Sequence, residues 1–352
     1  MASGVSQVRP MYDAVRWTVF SVLVFAAIEG IVFRSGWYFK YLAPQSSAGQ
    51  VELRHYWITH SRPTAEPEVL VLGDSRIAEG FSARVASAEV GGRIHFWNAG
   101  VGGSSPRVWY YLLRDSDSAR NRFAAVVLPL DHYSDRDNPD RGDKRITDLN
   151  YAIGRLRVTD CYTFARSFHT PGLLLHAMAG CLFKGMILRD DVNDLLSDYH
   201  ERIKAAHLWR TDGLGFVDGY DGRAEDVGGI SVDWATRHVK FPPGLTDAQR
   251  STIESTVTPP PVPQTGELNR YRQFWFGKLL SLYAKSDTRI IFIEIPRAPL
   301  PTPESSVPAA FIDSVRGRRD VAIVPRETFR ELERPDLLFG ESQNDVSPGA
   351  LC

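Results

Sequence analysis

Short apolar runs that alternate with stretches of helical spacing constrain this chain more than any other feature. VLVL (69–72), RIHFWNAG (93–100) and FAAVVLPL (123–130) read as strands, with helix-compatible segments at about 76–90 and 105–119 between them. The pattern returns late in the chain. GELNRYRQFWFGKLLSLYAKS (266–286) is amphipathic and leads into TRIIFIEIP (288–296), and DVAIVP (320–325) reads as the last strand. Apolar strands separated by helices predict an α/β domain whose parallel sheet is covered on both faces.

The front of the chain is different in kind. WTVFSVLVFAAIEGIVF, Trp17 to Phe33, is nearly continuous apolar sequence with Arg9 and Arg16 before it and Arg34 and Lys40 after it. At ~1.5 Å per residue it reaches about 25 Å, somewhat less than a ~30 Å hydrocarbon core, and Trp37, Tyr38 and Tyr41 extend it into the interfacial belt. No small-x-small cleavage site follows, so residues 17–33 are expected to form an uncleaved N-terminal membrane anchor. The flanking charges only lean toward a cytoplasmic N-terminus; the main domain is expected outside the membrane, in the periplasm. Glu29 is costly at membrane depth; it reads either as a contact to a membrane partner or as a residue close to the outer interface.

Composition excludes several classes. With 41 basic and 42 acidic residues there is no basic surplus to attract a nucleic acid. Cys161, Cys181 and Cys352 have neither CxxC spacing nor a neighbouring His cluster, so no metal site is expected. Two unpaired core thiols are the simpler reading of Cys161 and Cys181, with an extracytoplasmic disulfide as the alternative.

Between the third and fourth strands lie about 130 residues, opened by the turn-rich DRDNPDRGDKR (135–145) and closed by the proline-rich TPPPVPQTG (258–266). The expected organisation is an anchor (1–34), an α/β domain (35–134 and 266–352) and a mainly helical insertion (135–265) serving as a cap or partner surface. Within it, GLLLHAMAGCLFKGMIL (172–188) is apolar enough to raise a second membrane pass. His176 and Lys184 argue against spanning, so the segment is expected to be a core or membrane-facing helix of the cap.

In EVLVLGDSRIAEGF (68–81) a strand runs directly into Gly73-Asp74-Ser75 and then a helix. Open α/β sheets bind ligands beyond the carboxyl ends of their strands, where the next helix points its free N–H groups. Ser75 falls there, as an activated nucleophile or, more simply, within a helix cap shared with Asp74. The turn is neither GxSxG nor a phosphate loop, and its lack of GxGxxG disfavours a nucleotide-binding domain.

Taken together, Gly73-Asp74-Ser75 and Asn98-Ala99-Gly100-Val101-Gly102-Gly103 after the second strand resemble the first two blocks of the SGNH (GDSL-like) hydrolase superfamily. The resemblance covers residues 68–132 and, more loosely, 266–350. It implies a three-layer flavodoxin-like fold, Ser75 as nucleophile, and the backbone N–H of Ser75 and Gly103 as oxyanion donors, with Asp74 and Asn98 among the oxyanion or substrate-binding residues. The anchor and insertion are similar to the membrane-anchored branch that includes alginate O-acetylation and teichoic acid D-alanyl transfer proteins. That likeness implies a serine esterase or O-acyltransferase acting on an acylated glycan or cell-envelope polysaccharide, beside a multi-span membrane O-acyltransferase. No metal or organic cofactor is required.

Two blocks depart from the pattern. The third strand ends LPLDHYSD, so His132 or Tyr133 stands where the family offers an asparagine donor. The last block, LFGESQNDVSPGALC, lacks the DxxH histidine that serves as base, and no histidine follows His238. Glu341 and Asn344 keep the three-residue spacing, but asparagine is no base; Asn344 and Asp345 are expected among the oxyanion or substrate-binding residues. The expected bases are therefore His132, Glu341 or Asp345. The family's final helix has no counterpart, so Cys352 is expected to mark a truncated or frame-altered end. A missing base typically costs ~10²- to 10⁴-fold in rate, which leaves a second reading: an SGNH-fold binding or scaffold subunit of an O-acyltransferase system.

Overall fold

The computed structural model describes residues 8–130, 146–168, 170–217, 231–233, 236, 238–257, 266–294, 314–324 and 328. The chain divides into two compact units, Met1–Tyr56 with Gly142–Thr211, and Trp57–Arg141 with Asp212–Cys352. Residues 35–56, grouped with the sheet from sequence alone, cluster with the first unit; the division falls inside a single helix, Ser47–His60.

In chain order, α1 (Val8–Ile28) continues into one π-helical turn (Glu29–Arg34), followed by a 3-10 turn (Tyr38–Tyr41) and α2 (Ser47–His60). Then come β1 (Glu68–Gly73), α3 (Ser75–Gly80), α4 (Ala83–Glu89), β2 (His95–Gly100), α5 (Pro106–Ser116) and β3 (Ala125–Leu130). The long connection contains α6 (Thr147–Ala152), α7 (Cys161–Ala165), α8 (Pro171–Leu182), α9 (Lys184–Ile187), α10 (Arg189–Ser197) and α11 (Tyr199–Val217). It continues with an antiparallel hairpin of β4 (Ser231–Asp233) and β5 (His238–Lys240), then α12 (Asp247–Val257). Next are α13 (Gly266–Leu282), β6 (Arg289–Glu294) and β7 (Val321–Val324).

The α/β unit is built on a five-stranded sheet in the order β2-β1-β3-β6-β7, every pairing parallel. Alternate residues take opposite faces of a strand, which explains why the strands are apolar at consecutive positions. Val69, Val71, Ala125 and Val127 form one cluster with Ile77 of α3, joined by Phe81, Phe96, Ile291 and Ile293. Leu70, Leu72, Val126, Leu128 and Phe292 have the other parity and are fully buried, with the Phe276 ring of α13 against Phe292 at 5.3 Å. Each such side chain contributes about 1.5–3 kcal/mol through burial. All five predicted strands are present.

The single helix expected at 76–90 is two. Gly80 ends α3, Phe81 is extended, and the Ser82 hydroxyl accepts the Val85 N–H to start α4. The break lets Phe81 turn inward to the sheet, a packing demand that helical periodicity does not reveal.

In the helical unit, Cys161 and Cys181 form a disulfide, 5.4 Å apart at Cα. This corrects the reading of two unpaired thiols: Cys161 begins α7 and Cys181 lies near the end of α8, and both are buried. Of the two readings of Glu29, the contact to a membrane partner gives way to contacts within the chain. Glu29 is buried, and its carboxylate accepts the backbone N–H groups of Lys184 and Gly185 at 2.7 and 3.1 Å, with Arg34 at 3.7 Å. Its partners are within the chain. The segment 172–188 is not one helix long enough to cross a membrane: it breaks at Phe183 into α8 and α9, with Lys184 buried.

Candidate functional site

The site is set by where the strand order reverses. The chain passes from β1 outward to β2, then crosses back to β3 on the other side of β1. Such a switch leaves a crevice beyond the carboxyl ends of the two strands flanking it, here β1 and β3. Ser75 is the second residue after β1 and lies, half-buried, at the first position of α3.

Two glycines allow α3 to start so close to the sheet. A Cβ on Gly73 would lie 2.2 Å from Cγ1 of Ile77, and one on Gly100 would lie 2.4 Å from the backbone nitrogen of Ala78. Backbone cannot yield as a flexible side chain can, so Gly100 is the stricter requirement. The same approach determines the role of Asn98. Its buried amide donates to the carbonyl oxygens of Ile77 (2.9 Å) and Phe81 (2.7 Å), while its Oδ1 accepts the Gly100 N–H at 2.9 Å. With those donors engaged, Asn98 is a brace between α3 and β2. This corrects its expected place among the oxyanion or substrate-binding residues.

The two motif loops are tied together at one atom. The carbonyl oxygen of Gly73 accepts the Val101 N–H at 2.9 Å and the Ser104 hydroxyl at 3.1 Å. Ser104 is buried and in turn accepts the indole N–H of Trp109 at 2.7 Å. The GDS turn and the NAGVGG turn therefore open at the same end of the sheet. Gly103, exposed at the tip of the second turn, has φ +71°, the left-handed region that favours glycine. The sequence reading missed Ser104 and Trp109. A serine two residues before Pro106 suggests a helix cap, and nothing local reveals that it faces inward.

Asp74 caps α3, accepting the Arg76 N–H at 3.1 Å, and its carboxylate is held bidentately by the Arg76 guanidinium, with Nε to Oδ1 at 3.0 Å. It is an ion-paired capping residue. A second carboxyl, also missed from sequence, stands nearby: Glu79 follows Ser75 by four residues and so shares its side of α3. Partial desolvation, and next the negative charge of Asp74, hold the Glu79 carboxyl above the ordinary carboxylate range. At six residues α3 is too short for a large macrodipole, so the case for Ser75 rests on its position and neighbours.

His132, Tyr133, Glu341, Asn344 and Asp345 lie outside the described residues. Among the described residues, no three His, Cys, Asp or Glu side chains converge as a metal-ligand set. A cleft of about 830 Å³ opens at the opposite, amino end of the sheet, lined by Pro63, Glu68, Arg122 and Lys285 among others. The Arg122 guanidinium is already engaged with Glu68 at 2.9 Å and Ser61 at 2.8 Å. No candidate site residue borders this cleft.

Compared with known proteins, the chain matches no protein-family model and no curated protein.

Proposed function

We propose that this protein is a membrane-anchored, extracytoplasmic serine esterase or O-acyltransferase of SGNH type, acting on an acylated glycan or cell-envelope polysaccharide. The observation that carries the reading is the junction at the Gly73 carbonyl, which brings the Ser75 turn and the Gly103 turn to one end of the sheet. Counting only the strands of the sheet, their order is 2-1-3-4-5, the flavodoxin-like arrangement that the SGNH resemblance implies. The Cys161–Cys181 disulfide supports an oxidising compartment for the helical unit, and α1 is long and apolar enough to anchor it.

In this reaction Ser75 Oγ attacks the ester carbonyl carbon as a base takes the hydroxyl proton. The tetrahedral oxyanion is met by the backbone N–H groups of Ser75 and Gly103. The C–O bond to the leaving alcohol then breaks, the alcohol regains a proton, and the acyl group remains on Ser75. Water or a sugar hydroxyl attacks that acyl-enzyme and restores the serine. The base is His132, Glu341 or Asp345, as expected from sequence, or Glu79 from its place on α3.

A fluorophosphonate probe tests the reading. It should label the wild-type chain and spare Ser75→Ala; equal labelling of both, or of neither, transfers the argument to the scaffold reading. Glu79→Gln identifies the base in the same assay. A carboxyl base works only when ionised, so labelling through Glu79 rises with pH across its raised pKa, and the variant loses that rise. An unchanged profile assigns the proton to another group.

A further inference from the structure

The helix long and apolar enough to cross a bilayer runs from Asp13 to Arg34, so it takes in the turn Glu29–Arg34 as well as most of α1. Trp17, Val19, Phe20, Val22, Leu23, Val24, Phe25, Ile28 and Ile31 are exposed, while Glu29 and Phe33 of the following turn are buried against the protein. From Trp17 to Ile28 the helix rises ~18 Å, against a hydrocarbon core of ~30 Å. Continuing to Phe33, where the apolar run ends at Arg34, brings it to ~25 Å. The turn Glu29–Arg34 is therefore needed within the membrane, and with it whatever is packed against that turn.

What packs there is the corner between α8 and α9. Arg34 donates to the carbonyl oxygens of Cys181 and Leu182 at 2.8 and 2.6 Å, closing the end of α8, while Glu29 accepts the Lys184 and Gly185 N–H groups that begin α9. The rings of Phe25 and Phe183 meet at 5.6 Å. At the corner Phe183 is 40% exposed and Met186 61%, and Leu175, two turns earlier on α8, is 67% exposed. The Phe25–Phe183 contact joins this corner to the exposed apolar surface of α1. A carboxylate at this depth is tolerable because Glu29 is buried, capped by two amides and near a guanidinium. His176, exposed beside Leu175, keeps α8 near the headgroups and away from the bilayer centre.

From this arrangement we infer that the α8–α9 corner is seated in the outer boundary of the lipid bilayer beside α1, a non-spanning wedge whose Leu175, Phe183 and Met186 contact acyl chains. The inference rests on the anchor reading of α1. It makes the membrane contact a helix plus a corner, joined by Glu29 and Arg34 and held on one side by the Cys161–Cys181 disulfide. A lone flexible tether would lack this fixed depth.

Single cysteines replacing Val22, Leu175, Met186 or Val85 in the full chain, with Cys352→Ser, would each be labelled with an environment-sensitive fluorophore. The proteins are reconstituted in vesicles of phosphatidylcholine and phosphatidylglycerol. Nitroxide lipids labelled high on the acyl chain should quench the probes at 22, 175 and 186 several-fold more strongly than aqueous iodide does, with the reverse at 85. Iodide quenching at 175 and 186 alongside lipid quenching at 22 would overturn the wedge and leave the anchor standing. Iodide quenching at 22 would remove the anchor, and the wedge with it. Shielding of 175 and 186 from both quenchers would assign the face to a second copy of the chain and overturn lipid contact.

Discussion

Asn98 shows how a residue type matched to a motif can have a different physical role. An amide donor facing substrate and an amide braced against the last turn of α3 make opposite predictions. Asn98→Ala leaves buried carbonyl groups without their donor, a loss of about 1–3 kcal/mol in stability. The brace reading predicts that loss in urea or thermal unfolding, with little change in the rate at which each folded molecule reacts with the fluorophosphonate. An oxyanion donor would instead show a rate loss of ~10²- to 10³-fold at nearly unchanged stability. Gly100→Ala is a companion case: its Cβ meets the Ala78 backbone, so it should destabilise by about as much as an overpacked core site, ~1–3 kcal/mol. The placement of Ser75 just after a strand end and of Gly103 in a glycine turn was legible because strand ends and glycine turns are local signals. The inward hydroxyl of Ser104 was not, because its partners, Gly73 and Trp109, come together only in three dimensions.

Elements were legible in proportion to how local their causes are. Each strand is a short apolar run ended by a turn, and five such runs were enough to give the sheet. The α8–α9 corner has a distant cause, since the carboxylate that caps α9 is Glu29, 155 positions earlier in the chain. Lys184, which suggested that the segment stays out of the membrane, is buried at that corner with its ammonium over the Phe39 ring at 5.0 Å. Burial, and next the like charges of Arg34 and Arg155, push its pKa down to about 8, although Glu52 and Glu29 oppose the shift. Between that value and the ordinary 10.5 the unfolded chain binds more protons than the folded one, so stability should rise with pH across this window and stay flat below it. Lys184→Met should abolish the rise and stabilise the protein below pH 8. Unfolding midpoints in detergent at a series of pH values check both; a wild-type midpoint that falls from pH 8 to 10.5 would contradict the assignment.

At the scale of the molecule, the anchor proposed for α1 raises the question of which side of a membrane the rest of the chain folds on. Sequence offered only a lean, because basic residues flank both ends of the apolar run. The disulfide adds a chemical constraint, since a Cys161–Cys181 bridge persists outside the cytoplasm and is rare within it. Its cysteines are 20 positions apart, and closing a loop of that size stabilises by about 3 kcal/mol in the chain-entropy account. Cys161→Ser and Cys181→Ser should therefore lower the unfolding midpoint of the full chain in detergent, and reductant should lower the wild type to the same point while leaving the variants unchanged. The same pair reports orientation. In intact cells, an impermeant phosphine reductant followed by a maleimide-linked polyethylene glycol should add two labels to a Cys352→Ser chain if the helical unit faces outward. Labelling only after the membrane is permeabilised would place the unit inside, and with it would fall the extracytoplasmic glycan as substrate.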